Sequence, residues 1–199
     1  TYGSSISHCG GATSPARAWP ATAARARDLN LTCLGYGGQC HIDAMIARML
    51  RDQPADLISL KLGINVQGGS SLGPRTFKAA IIGIHKAFDE TQVYLPIQAQ
   101  VTLDTTGRML LGTDINASLA ILEGMGIDVI GLNCSTGPEH MREPIRILGE
   151  YSTLPVSCIP NAVLPLNVDG QAVYPLEPEP YAKDMYEFVT KHNVSIVGG

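Results

Sequence analysis

The stretch IDVIGLNCSTGPEHM, residues 127–141, decides the fold that this sequence predicts. Its first part, Ile127–Leu132, has the length and apolar composition of a buried strand. Asn133 and Cys134 follow directly, and a Gly-Pro pair then begins a helix. In parallel α/β folds ligands bind outside the carboxyl ends of strands, so Cys134 lies where chemistry is expected. A thiol there can be a metal ligand, a nucleophile or apolar filling.

The same strand and helix unit recurs along the whole chain. The predicted strands are residues 1–5, 31–34, 56–62, 96–103, 127–132, 155–159 and 194–197. The predicted helices are residues 15–29, 42–50, 76–90, 114–123, 139–150 and 179–192. This alternation predicts right-handed crossovers and an α/β fold, with a mainly parallel sheet of six or seven strands flanked by helices. No composition break marks a linker, so we expect a single domain over residues 1–199, with a proline-rich irregular loop at 160–178.

Charge and cysteine usage exclude several classes of partner. The net charge is −4 and the basic residues are scattered, which argues against nucleic acid as a ligand. No apolar run approaches the roughly 20 residues that cross a bilayer, so we expect no membrane partner. Five cysteines without close pairs predict a reducing compartment, and the cytoplasm is the expected location. The first residue, Thr1, is not expected to be the natural start.

One group of motifs lies in the first 84 residues. YGSSIS at residues 2–7, LGYGG at 34–38 and LGIN at 62–65 each follow a predicted strand. They resemble the blocks of the SGNH (GDSL-like) hydrolase family. The resemblance implies that Ser5 is the nucleophile, and that the Gly38 amide and the Asn65 side chain help to stabilise an oxyanion. The Asp-x-x-His base of that family has no counterpart among the five histidines.

A second group of motifs covers residues 78–199. PIQAQVTLDTTGRM (96–109), GLNCSTGP (131–138), PNA (160–162) and IVGG (196–199) closely resemble the homocysteine-binding (S-methyltransferase) domain of cobalamin-dependent methionine synthases. The matched part corresponds to the last four βα units of that family's barrel. The resemblance therefore implies a half barrel over residues 85–199 and homocysteine as the small-molecule substrate.

The same resemblance assigns the residues of a zinc and substrate site. In that family three cysteine thiolates hold a zinc ion, which keeps the homocysteine sulfur as a thiolate at neutral pH. Cys134 corresponds to the first ligand, and the other two follow Val-Gly-Gly, where this sequence ends. We therefore expect zinc as the cofactor of an incomplete site. The residues expected to contact the substrate are Thr102, Asp104, Asn133, Glu139 and Asn161.

Three functional hypotheses follow from these two resemblances. The most specific is a homocysteine S-methyltransferase-like segment with little or no turnover as it stands. The alternatives are an SGNH-type serine esterase that lacks its usual base, and an inactive chimeric scaffold. For the fold we expect an open, doubly wound sheet, because the hydrolase-like part implies that the strand order reverses about the first strand. A partly closed barrel is the alternative, because the other part resembles one.

Overall fold

The computed structural model describes residues 1–41, 44–61, 74–109, 112–164, 166–168 and 171–198. The α/β class and the parallel sheets flanked by helices are confirmed. The chain divides into two compact units, residues 1–80 (unit 1) and 81–199 (unit 2), and each has its own parallel sheet. The division lies close to residue 84, where the two resemblances meet. That both units form one domain stays a prediction.

Unit 1 contains a small parallel sheet in which the first strand is central. The strands are β1 (Tyr2–Gly3), β2 (Leu34–Gly35) and β3 (Leu60–Lys61), in the order β2-β1-β3. The helices are α1 (Ser5–His8), α2 (Trp19–Ala26) and α3 (Ala44–Arg51). The expected reversal of strand order about β1 is therefore present. It is the arrangement of an open, doubly wound sheet.

The predicted helix over residues 15–29 is shorter than expected. A 3₁₀ turn at Pro15–Arg17 is separated from α2 by Ala18, which has an extended backbone. Pro20 lacks an N–H group and is best tolerated in the first turn of a helix, and this is where it lies in α2, which begins at Trp19.

Unit 2 contains a four-stranded parallel sheet in consecutive order. The strands are β4 (Gln98–Val101), β5 (Val129–Asn133), β6 (Val156–Ile159) and β9 (Val194–Val197), in the order β4-β5-β6-β9. The helices are α4 (Pro74–Thr91), which starts before the unit boundary, α5 (Ile115–Glu123), α6 (Pro138–Tyr151) and α7 (Pro178–Lys191). This consecutive order is typical of part of a barrel. No helix in the described part of the chain is long and apolar enough to cross a membrane.

The proline-rich segment at 160–178, predicted to be irregular, contains a β-hairpin. Strand β7 (Leu166–Val168) pairs antiparallel with β8 (Gln171–Val173). The sequence between them is Asp-Gly, a dipeptide typical of two-residue hairpin turns, so a local signal was available.

The core of unit 2 lies on one face of its sheet. Alternate strand residues and the inner sides of the helices form a single apolar cluster, and the most deeply buried members are Ile130, Leu132, Ile145, Leu148 and Phe188. Because successive strand side chains point to opposite faces, this burial determines which residues lie on the other face.

The opposite face of the sheet carries a polar row. The Nε2 atoms of Gln98 and Gln100 in β4 each donate a hydrogen bond of 3.0 Å to Ser157 Oγ in β6. Between them lies Gly131 of β5, which pairs with Gln100 on one side and Ser157 on the other. A Cβ atom built at Gly131 would lie 2.7 Å from the Ser157 Cβ, closer than real Cβ contacts. Glycine at 131 is therefore required for the glutamines to reach across the strand.

A charged cluster joins α6 to α7. Arg142 forms ion pairs with Asp184 and with Glu187, and the distance to the Glu187 carboxylate is 2.7 Å. The Arg142 guanidinium also lies 5.8 Å from the centroid of the Phe188 ring. The hydrogen bond from Arg142 holds the pKa of Glu187 below its ordinary value. These contacts link α6 to α7 beside the buried Phe188.

Replacing Gly131 by alanine tests the close packing of β4, β5 and β6. We expect Gly131→Ala to lower the free energy of unfolding by about 1–3 kcal/mol, because the added methyl group overlaps the Ser157 backbone. The matched control is Gly83→Ala in α4, where no atom lies within 4 Å of the added Cβ. That change should raise stability by about 0.5–1 kcal/mol, because alanine favours helix. Urea unfolding measures both, and equal effects would contradict the packing described here.

Candidate functional site

Three of the side chains expected at the site form one hydrogen-bonded chain at the carboxyl ends of β4 and β5. Thr102 Oγ1 donates to Asn133 Oδ1 at 3.2 Å. Asn133 Nδ2 in turn donates to Cys134 Sγ at 3.2 Å. Thr102 is exposed, while Asn133 and Cys134 are half-buried. The thiol is therefore held in a defined orientation by an amide that is itself held by a hydroxyl group.

The backbone after β5 turns sharply at the thiol. Cys134 and Ser135 have φ angles of +54° and +67°, in the left-handed region that non-glycine residues rarely adopt. Hydrogen bonds hold them there: the Cys134 N–H donates to the Ile159 carbonyl at 2.9 Å, and the Thr136 N–H donates to the Cys134 carbonyl at 2.8 Å. Such strain costs of order 1–3 kcal/mol per residue and is found most often at functional sites.

The loop after β6 is tied to the loop after β5. The Asn161 N–H donates to the buried Thr136 carbonyl at 3.0 Å, which brings a fourth predicted residue beside the Cys134 loop. Two residues further on, Val163 has a φ of +67°. Its side chain approaches Gly137, where an added Cβ would lie 2.9 Å from Val163 Cγ2. Gly137 is the N-cap of α6, so the strained valine packs directly on the start of that helix.

A tyrosine that was not predicted closes the same edge of the sheet. Tyr181 Oη in α7 lies 3.0 Å from the Pro160 carbonyl oxygen and 2.6 Å from that of Gly198, either of which can accept its proton. Burial, with a smaller contribution from Cys158, raises the pKa of Tyr181 to about 12. Tyr181 thus links the ends of β6 and β9 through one hydroxyl group. No local sequence pattern marks this residue, because its acceptors are backbone carbonyls distant in the chain.

Asp104 and Glu139 have local contacts that organise the backbone. Asp104 Oδ1 accepts from Thr106 Oγ1 at 2.6 Å, from the Thr106 N–H at 2.8 Å and from the Arg108 N–H at 3.2 Å. These bonds hold the pKa of Asp104 below its ordinary value, and the bond from Thr106 Oγ1 contributes most. Glu139 is exposed in the first turn of α6, where a negative charge is favourable. A role of either residue in substrate binding stays a prediction.

The described residues do not provide the ligands of a complete zinc site. Cys134 supplies one sulfur, but a protein zinc ion needs three or four such ligands. Cys158 is fully buried, lies 3.9 Å from Met141 Sδ and has its pKa raised to about 12 by burial, so it belongs to the core. Among the described residues no group of three His, Cys, Asp or Glu side chains is arranged to hold a metal ion. A zinc ion at Cys134 would need donors from elsewhere.

The residues of the hydrolase-like motif are only partly within the described structure. Ser5 is the first residue of α1, which directly follows β1, and the Ser4 carbonyl accepts the N–H groups of Ser7 and His8 at 3.0 Å each. Gly38 has a φ of +72° in the turn after β2, a conformation that favours glycine. Asn65 lies outside the described residues. Its place beside Ser5 and Gly38 therefore stays a prediction.

Comparison with known proteins matches the part of the chain that contains unit 2. Residues 75–199, more than half of the chain, match the family model of homocysteine S-methyltransferase. The chain belongs to this family. Two methionine synthases, from Mycobacterium leprae (strain TN) and Mycobacterium tuberculosis (strain ATCC 25618 / H37Rv), are each 43% identical to it over 122 residues. Those 122 residues are 61% of this chain and 10% of each relative, so the chain spans about a tenth of the curated relatives it matches.

The family match separates the two groups of motifs. It covers every residue of the hydrogen-bonded chain at Cys134, together with Asn161 and Tyr181. It begins at residue 75, so the motifs of the first 65 residues lie before it. The methyltransferase resemblance is therefore confirmed at the level of the family, and the hydrolase resemblance stays a prediction.

Replacing Val163 by glycine tests the strain in the loop after β6. We expect Val163→Gly to raise the free energy of unfolding by about 1 kcal/mol. Glycine removes the strain of a valine in the left-handed region, and this gain exceeds the cost of the extra conformational entropy that glycine gives the unfolded chain. The matched control is Val168→Gly in strand β7, which should lower stability, since glycine weakens strands. Thermal and urea unfolding measure both, and a loss of stability in Val163→Gly would argue against strain there.

Proposed function

We propose that this chain is part of a homocysteine S-methyltransferase and contributes one side of the homocysteine site at the carboxyl ends of β4, β5 and β6. The observation that carries the proposal is the hydrogen-bonded chain from Thr102 through Asn133 to Cys134. It lies where parallel α/β folds bind ligands, and it lies within the matched family region.

The chemistry of the site suits a small thiol substrate. The Cys134 sulfur is half-buried and lies beside polar groups. A sulfur in such a place can share a metal ion with a substrate sulfur, because zinc is bound well by thiolates. When bound, zinc would stabilise the substrate sulfur as a thiolate, the form that attacks a methyl group. The residues of this chain would orient the Cys134 sulfur and supply neighbouring hydrogen-bonding groups from Thr102 and Asn161. Because no group of three potential ligand side chains is arranged for a metal ion among the described residues, we propose little or no turnover for this chain alone.

A zinc competition experiment tests whether Cys134 is a ligand. The 199-residue chain is mixed with zinc, homocysteine and a chromophoric chelator, and the zinc affinity is derived from the colour change. We expect Cys134→Ser to lower the affinity by at least about tenfold, because it removes a sulfur donor.

The matched control is Cys33→Ser, which changes an exposed cysteine of unit 1. It should leave the affinity unchanged. Equal zinc affinities for the unchanged chain and for Cys134→Ser, in the presence of homocysteine, would reject Cys134 as a ligand. Circular dichroism of each variant would show that the fold persists.

The second candidate function is an SGNH-type esterase in unit 1. The observation that favours it is the strand order β2-β1-β3 with a helix that begins at Ser5 directly after the central strand. Gly38, with its left-handed backbone, follows the neighbouring strand β2. Without an Asp-x-x-His base the serine hydroxyl is a weak nucleophile, so we propose slow acylation at most.

Burst release from p-nitrophenyl acetate tests this second candidate. If Ser5 is acylated, the unchanged chain shows a burst whose size follows the protein concentration, and Ser5→Ala abolishes it. Ser14→Ala is the control, because Ser14 precedes the 3₁₀ turn and makes no side-chain cap bond. A burst that persists in Ser5→Ala would reject the assignment. If both assays are negative while unfolding stays cooperative, the chain is an inactive scaffold, the third hypothesis.

A further inference from the structure

The polar row on the unit 2 sheet begins directly below the Cys134 site, on the side of the strands' amino ends. Thr102 and Gln100 are two residues apart in the chain, and both side chains lie on the face opposite the apolar core. Gln100 pairs with Gly131 in β5, two residues before Asn133. Residues two apart in a strand are separated by about 6.6 Å. The Gln100 amide therefore lies about one such step below the hydrogen-bonded chain from Thr102 to Cys134.

Ser157 sets the orientation of the Gln100 amide. A serine hydroxyl has two acceptor lone pairs, and the Nε2 atoms of Gln98 and Gln100 each donate to the Ser157 Oγ at 3.0 Å. Ser157 is fully buried, whereas Gln100 is half-buried. With Nε2 held by Ser157, the Gln100 Oε1 atom points away from it. In the described part of the chain no group donates a hydrogen bond to this oxygen.

Thr102 provides a second acceptor one step above. Its Oγ1 atom donates its single proton to Asn133 Oδ1, so the lone pairs of that oxygen remain available. Thr102 is also exposed. Two oxygen acceptors in succession on one strand face suit a ligand group that only donates. An ammonium group is of this kind, because it has three N–H donors and no acceptor.

We propose that Gln100 Oε1 and Thr102 Oγ1 bind the α-ammonium group of homocysteine and so distinguish it from thiols that lack an amino group. This inference rests on the proposed function, because it takes homocysteine as the ligand. Four bonds separate the sulfur of homocysteine from its amino nitrogen. A substrate sulfur beside Cys134 therefore places that nitrogen within hydrogen-bonding reach of the step that holds the Gln100 amide. Hydrogen bonds from a charged donor are the stronger kind, so they favour the substrate with the ammonium group.

The ratio of two affinities tests the proposal. L-homocysteine and γ-mercaptobutyrate share the sulfur, the carbon chain and the carboxylate, but only homocysteine has an amino group. Their dissociation constants for the 199-residue chain are measured by ligand-observed NMR in the same zinc-containing buffer. We expect the unchanged chain to bind homocysteine at least about tenfold more tightly, because only its ammonium group donates to the two oxygens.

Two substitutions of Gln100 should change this preference in opposite directions. Gln100→Met should remove the preference, because methionine is of similar size and has no oxygen acceptor. Gln100→Glu should increase it by at least about tenfold, because a carboxylate attracts the ammonium charge. A purely structural role of Gln100 would predict no gain from glutamate.

The matched control is Gln98→Met. Gln98 donates to the same serine, but it pairs with Val129, four residues before Asn133, so it lies one step further from the site. This variant loses the same kind of bond to Ser157 and should keep the preference of the unchanged chain. Urea unfolding of each variant shows whether the fold persists, and if Gln100→Met does not fold, Gln100→Glu decides.

Three results would overturn the proposal. Equal affinities of the unchanged chain for the two thiols, or no measurable binding of either, would mean that the ammonium group is not recognised. A preference that persists in folded Gln100→Met, or that does not increase in Gln100→Glu, would place the ammonium group elsewhere, such as beside Asp104 or Glu139. An equal loss in Gln98→Met would assign the effect to the polar row as a whole.

This inference and the proposed function fail separately. The zinc competition experiment with Cys134→Ser depends on sulfur, which both thiols contain. If Cys134 is not a zinc ligand, both thiols lose the same contribution, and the ratio of their affinities still reports on the amino group alone.

Discussion

The burial of one face of a four-stranded sheet beneath its helices is the contact on which unit 2 depends. Ile130, Ile145, Leu148 and Phe188 are completely removed from water, and each contributes about 1.5–3 kcal/mol relative to exposure. Because strand side chains alternate, this burial also determines that Gln98, Gln100 and Ser157 share the opposite face. The register that places Gly131 between them then aligns the carboxyl ends of the strands, where Thr102, Asn133 and Cys134 meet.

The site combines a well-determined scaffold with a partial set of functional groups. Two strained loops are held together through Thr136, and Tyr181 ties the neighbouring strand ends from the side of α7. Such support is what a metal-binding thiol requires, because ligand orientation depends on the groups behind it. Yet among the described residues no group of three His, Cys, Asp or Glu side chains is arranged to hold a metal ion. The described residues therefore include the loops that would support a metal ligand, but they do not include a complete set of metal ligands.

Much of unit 2 could be predicted from local patterns. The Asp114 side chain accepts the Ala117 N–H and caps α5, and the predicted helix begins at that residue. The predicted strands at 127–132 and 155–159 match the bounds of β5 and β6 to within two residues. The elements of unit 1 were harder to predict, because its strands are only two residues long and carry little periodic signal. The hairpin β7-β8 was missed because the prolines outweighed the Asp-Gly signal between its strands.

By itself, the sequence determined the class of fold, the position of Cys134 at a strand end and the family to which the motifs belong. These properties depend on residues that are neighbours in the chain, and periodicity and motif order record them directly. Only the tertiary structure decided that Gln98 and Gln100 reach Ser157 across Gly131, that Val163 packs on Gly137 in a left-handed conformation and that Tyr181 joins two strand ends. Each of these contacts joins different elements, and its geometry arises only when the strands pair in register.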